Sequence, residues 1–152
     1  MLSTKHFEDF HVGQTTTVGD YRVTKEEIIE FARKWDPQPF HVDEEAARES
    51  VFGGLIACGC HLVSISILLE NETGTKPNLV AGLGWDKLRF LRPVMPGDRL
   101  SLTTECLETR ESKSRTDQGI VRNLVTLTNQ RGEPVLSYQD TIIVTKRVKV
   151  SS

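Results

Sequence analysis

An α+β architecture is what this sequence predicts, and three patterns carry the prediction. From Thr24 the apolar residues Ile28, Phe31, Ala32 and Trp35 recur at helical intervals. LIACGCHLVSISILLE, entered after Gly53-Gly54, reads as a long apolar helix. Beyond Pro77 four segments of strand-like composition are separated by short turns. They describe an antiparallel meander whose apolar face the long helix covers.

Each element has its own local reason. Residues 14 to 23, QTTTVGDYRV, are rich in Thr and Val around a central Gly-Asp and read as an early strand or hairpin. Thr24 with Glu27 has the spacing of a capping box, and the helix it opens must stop at Asp36, because Pro37 disfavours the α conformation in the residue before it. VDEEAARES reads as a second, short helix with Asp43 as N-cap and Glu44 and Glu45 at the positive end of the dipole. The central helix is expected from near Gly59 to near Glu70, burying Leu62, Ile65, Leu68 and Leu69, while Gly59, Cys60, Ser64 and Ser66 let other backbone approach. NLVAGLGWDKLRFLRPV then runs to a tight turn at Met95-Pro96-Gly97-Asp98. RLSLTTECLETRES places Leu100, Leu102, Thr104 and Cys106 on one side; a polar loop at Ser114 to Gly119, IVRNLVTLTNQRG and EPVLSYQDTIIVTKR complete the chain.

Composition narrows the function. A chain of 152 residues suits one domain over 1–152, large enough to bury a core without disulfide or metal staples. With 38% hydrophobic and 26% charged residues the chain is globular rather than disordered. A net charge of −2, with no basic run beyond Lys146, Arg147 and Lys149, argues against nucleic acid as a partner. Cys58, Cys60 and Cys106 are odd in number and no secretory segment precedes them, so a reduced, cytoplasmic protein is expected. Ser64 and Ser66 interrupt the longest apolar stretch, which falls short of a membrane span.

WDPQPFH, residues 35 to 41, is the segment that suggests chemistry. Asp36 and His41 lie five positions apart, with Pro37 and Pro39 between them. A carboxylate and an imidazole can share a water and move its proton. Fully extended, the link would hold their Cα atoms about 16 Å apart, so the chain must fold back; the prolines end one helix and stiffen the passage to the next. Taken alone, Asp36 is a helix-ending turn residue and His41 a partly buried side chain. Gly59, at the opening of the central helix, presents an amide unpaired within the helix at the positive dipole end, suited to an oxyanion. Cys58, Cys60 and His61 lack a second ligand pair at zinc spacing, so no metal is expected, and Cys58 has no support as a nucleophile. His6 and His11 are read as surface residues and Trp35 as core.

These residues resemble the motif of the MaoC-like hydratase/dehydratase family, which includes the (R)-specific enoyl-CoA hydratases of the hot dog fold. The motif runs Gly-Asp-X-Asn-Pro-aliphatic-His with a small residue six positions on. Asp36, Pro39, His41 and Ala47 match it; Trp35, Gln38 and Phe40 depart from it. FGGLIACGCH is similar to the glycine-rich entry to the family's central helix, with Cys58 where Ala-His-Gly has its His and with Gly59 retained. KLRFLRPVMPGDRL looks like the family's central strand and its Pro-Gly-Asp turn.

The resemblance implies a hot dog fold, in which an antiparallel β-sheet wraps a long central helix and an overhanging helical segment carries the active site. It implies hydration of a trans-2-enoyl thioester, or dehydration of a 3-hydroxyacyl thioester, by Asp36 and His41, with the Gly59 amide as oxyanion donor. The substrate would be an acyl-CoA or related pantetheine thioester, with no metal and no other cofactor. A homodimer, or a higher oligomer built on it, would carry the substrate tunnel at its interface. The departures at Trp35, Gln38 and Cys58 leave a silent acyl-thioester-binding module as the alternative, and a hot dog thioesterase as a less favoured one.

Overall fold

The computed structural model describes residues 3–148. Thr24 caps helix α1 (Lys25–Trp35) by accepting from the Glu27 amide, while Glu26 and Glu27 open the helix and Arg33 and Lys34 close it, each suited to its dipole end. The expected capping box is only half formed, because the Glu27 carboxylate turns instead to Tyr21 and His61. As Pro37 requires, α1 stops at Asp36, which has φ −159° and ψ 74°. Gln38 is extended, and Pro39 opens a single-turn helix, α2 (Pro39–Val42), which places its missing N–H where no helical bond is lost. Asp43 then caps α3 (Glu44–Glu49) by accepting from the Glu45 and Ala46 amides. The central helix, α4, runs Gly59–Asn71.

A short parallel pair joins β1 (Ser3–Lys5) to β3 (Thr75–Pro77). The main sheet is antiparallel and contains β2 (Thr15–Arg22), β4 (Leu79–Phe90), β5 (Arg99–Glu111), β6 (Gln118–Thr128) and β7 (Pro134–Thr145). Its order is β2-β5-β6-β7-β4, which corrects the simple four-strand meander. Only β5, β6 and β7 follow one another; β4 pairs with β7 at the far edge, and β2, a single strand rather than a hairpin, lies beside β5. Alternation reveals which face of a strand is buried but not which strand is its neighbour. The link from β4 to β5 crosses the end of the sheet, where Val94 is fully buried and its carbonyl accepts from the Ala57 amide.

The sheet wraps α4. Leu62, Ile65 and Leu69 pack with Leu100, Leu102, Val125, Leu127 and Leu136, while a second cluster of Cys106, Val121, Ile142 and Val144 is closed by Phe7 and Phe10. Two core expectations fail. Leu68 is 45% exposed, and Trp35, at the last turn of α1, is 63% exposed. The buried stripe of α4 is wider and more polar than apolar periodicity suggests, since it includes His61 and Ser66, each with a hydrogen-bond partner outside the helix. His11 is exposed, whereas His6 is half-buried beside the Phe7–Asp9 3₁₀ turn.

Candidate active site

The single turn of α2 folds the WDPQPFH link back on itself. Asp36 Oδ2 comes to 3.5 Å from His41 Nε2. His41 is buried and its Nδ1 lies 2.7 Å from the Ile56 carbonyl. A carbonyl only accepts, so Nδ1 carries the hydrogen, and in the neutral ring Nε2 is left as a lone pair facing Asp36. Two acceptors 3.5 Å apart can both accept from a single donor lying beside them, as the two hydrogens of one water would allow. Phe40 braces the imidazole edge-on, with ring centroids 4.6 Å apart, and Phe52 packs behind Phe40.

The Ile56 bond also ties this pair to the start of α4. The Ile56 amide donates to the Phe40 carbonyl, so residues 55–58 run beside α2 before the chain enters the helix at Gly59. Cys58 is the N-cap and is fully buried; burial, the neighbouring Cys60 thiol at 3.4 Å and the Asp36 charge push its own thiol up to about 12, which leaves a poor nucleophile. The amides of His61 and Leu62 reach the Cys58 carbonyl, but the Gly59 amide has no partner among the described residues. Asp36, His41 and the amide end of α4 thus belong to one region, joined through Ile56 and Cys58.

Gly59 also makes a close packing contact, with Phe90, whose side chain is 57% exposed. A Cβ built at this position would lie 2.5 Å from the Phe90 ring, so the aromatic ring of β4 rests where any side chain would stand. Ala47, the small residue of the motif, is fully buried.

Sequence reasoning missed a second group of residues, which supports the first. His61 Nε2 bonds a Glu27 carboxylate oxygen at 2.7 Å, and the Tyr21 hydroxyl donates to both oxygens of that carboxylate. The Phe31 ring stacks on His61 with centroids 4.4 Å apart. Burial lowers the His61 pKa, and its Nδ1 is buried without a partner, both consistent with a neutral ring whose Nε2–H donates to Glu27. The signal in the sequence was His61 itself, a polar residue on the buried stripe of an apolar helix.

The model of the MaoC like domain matches residues 9–129. The chain belongs to that family. The sheet wrapped around α4 is the hot dog fold. This MaoC-like protein is 32% identical over 138 residues to the uncharacterized protein YdeM of Bacillus subtilis, across 90% of this chain and 96% of that one. It is 32% identical over 117 residues to 3-hydroxyacyl-thioester dehydratase Z of Mycobacterium tuberculosis, across 75% of this chain and 76% of the relative. Among solved structures, the MaoC-like dehydratase from Rhodospirillum rubrum superposes with a TM-score of 0.88 at 39% identity, covering 95% of this chain and 99% of that one. The family thus includes hydro-lyases. No described helix is long and apolar enough to cross a membrane.

Proposed function

We propose that this MaoC-like protein catalyses the (R)-specific hydration of a trans-2-enoyl thioester carried by coenzyme A or a related pantetheine, or the reverse dehydration. The observation that carries this reading is the approach of Asp36 Oδ2 to His41 Nε2 with the imidazole locked through Nδ1. A water held between the two groups gives a proton to Nε2 as its oxygen bonds to the β-carbon. Negative charge moves to the thioester oxygen, where the free Gly59 amide at the positive end of α4 receives it. The proton then passes to the α-carbon, completing addition of water across the double bond. The Asp36 carboxylate orients the water and offsets the charge on the imidazolium. The chemistry calls for no metal and no redox cofactor.

The active unit is proposed to be a homodimer. Among the described residues β4 pairs only with β7, and along it Leu79, Val80, Leu83 and Trp85 are between 47% and 55% exposed. A long apolar edge of this kind invites pairing with a second copy. The thiols of Cys58, Cys60 and Cys106 are free, which suits a reducing, cytoplasmic setting.

The test is incubation with short and medium trans-2-enoyl-CoAs while conjugated absorbance and free thiol are followed together. Loss of absorbance without thiol release supports hydration. Thiol release would make the protein a thioesterase, and binding without either change would make it a silent module, a reading left open by Trp35, Gln38 and Cys58 and favoured by the Phe90 ring resting against Gly59.

A further inference from the structure

A cleft of about 980 Å³ lies by the C-terminal half of α4, and neither Asp36, His41 nor Gly59 lines it. The helix rises about 1.5 Å per residue, so Glu70 stands about 16 Å from Gly59 along its axis. The inner wall of this cleft is polar at a depth where a sheet packed on a helix is normally apolar. Asn123 of β6 and Asp140 of β7 are direct cross-strand partners and project from the same face. Asn123 stands between Val121 and Val125, and Asp140 between Tyr138 and Ile142, so these two polar residues divide the core into its two apolar clusters.

Among the described residues, this group lacks a full set of hydrogen-bond partners and a paired cation. Asn123 is only 6% exposed, yet its side-chain amide lines the cleft and bonds no described residue. Glu70, in the last turn of α4, lines the same space, and burial with the Asp140 charge pushes its carboxyl up to about 7. Burial also raises Asp140, with the nearby Trp85 indole acting in the opposite sense. No Lys or Arg figures among the groups acting on either carboxyl. Lys5, Lys76 and Arg147 also line the cleft; Lys5 is held over the Phe10 ring and by Gln14, Arg147 is paired with Asp9, and Lys76 is exposed. Buried carboxylates are ordinarily paired with a cation. Here the missing partner is a positive charge with N–H donors, and Phe10, Ile67 and Ile142 offer apolar walls for a carbon stem.

We propose that this cleft is a second binding site, which takes a small organic cation and sets its ammonium or guanidinium group against Glu70, Asp140 and Asn123. The volume falls in the range of small-molecule sites. The inference is independent of any reaction at Asp36 and His41. Asp140 and Tyr138 of β7 act on Glu70, and Asn123 of β6, Glu72, Lys5 and Lys76 line the same cleft; none of them gains negative charge in acid, so acid that protonates Glu70 removes attraction and supplies none in its place.

Isothermal titration of the full chain at pH 8 with putrescine and with agmatine tests this, with butane-1,4-diol as the uncharged control and magnesium as a simple cation. Saturable binding of either amine is expected, at least tenfold tighter than that of the diol or the metal. It should weaken about tenfold in Glu70→Gln and in Asp140→Asn, both near-isosteric, and again in the wild type at pH 5.5; circular dichroism verifies that each variant is folded. Absence of amine binding at pH 8, equal binding of the diol, or an affinity unchanged in both variants would overturn the proposal.

Discussion

The imidazole of His61 and the carboxylate of Glu27, 2.7 Å apart, fasten α1 to α4. Asp36 ends the first of these helices and Gly59 begins the second. The bond therefore helps to set the distance between two groups proposed to act together, although neither of its partners is Asp36 or His41. Glu27→Ala leaves the buried His61 donor and the Tyr21 hydroxyl without their acceptor. Such a loss costs about 1–3 kcal/mol, to be seen as a lower midpoint in urea. Glu27→Gln should recover part of it.

Stability should depend on pH in two opposite senses. Burial holds the His61 pKa below its ordinary 6.5. Between those values the unfolded chain binds the extra proton, so the contribution of His61 is complete above about 6.5 and is lost as the pH falls. Glu70 is raised from 4.5 to about 7, so the folded chain holds the extra proton; its contribution is complete below 4.5 and is lost as the pH rises through 7. Urea denaturation between pH 5 and pH 8 should show Glu70→Gln gaining on the wild type at the alkaline end. A constant difference across that range would contradict the assignment.

Asp36→Asn and His41→Ala should each lower kcat on an enoyl-CoA by about 10²–10⁴. Both variants should retain the wild-type circular dichroism spectrum. If both groups serve one water, the double variant falls little further than either single one. Additive losses in steady-state kinetics would separate their roles.

Gly59→Ala drives a methyl group into the Phe90 ring, since the Cβ would lie 2.5 Å from it. Phe90 is 57% exposed and its ring can swing aside, so the fall in the thermal midpoint should be small. Phe90→Ala in the same chain should restore the thermal midpoint. If Gly59 serves only packing, activity returns with stability; if it must also admit a thioester, kcat stays low in the double variant.

Leu83 is 55% exposed on the free edge of β4. Leu83→Lys puts a charge on that edge and should shift the protein from dimer to monomer in light scattering, with activity falling in parallel. A wild type that is already monomeric at micromolar concentration would remove the basis for an interfacial tunnel.

Much of this was written locally. The Thr24 cap, the stop at Asp36 before Pro37, the Asp43 cap and the helix opening at Gly59 each depend on residues within one turn of the boundary, and the structure places them where the sequence does. Trp35 and Leu68 were misjudged because helical spacing identifies an apolar residue without showing whether anything lies opposite it. Glu27 shows the same limit, because its spacing suits a capping box while Tyr21 and His61 offer it better partners.

The sequence by itself determined the elements, their ends and the residue types available for chemistry, because caps, prolines and periodicity act over a few bonds. Tertiary packing alone decided that β4 closes against β7, that His41 is locked by Ile56 with Nε2 facing Asp36, and that Asn123, Asp140 and Glu70 line one cleft. Those relationships join residues far apart in the chain or on opposite sides of a fold-back. They arise only when burial of the α4 stripe brings sheet and helix together, and no local preference encodes that approach.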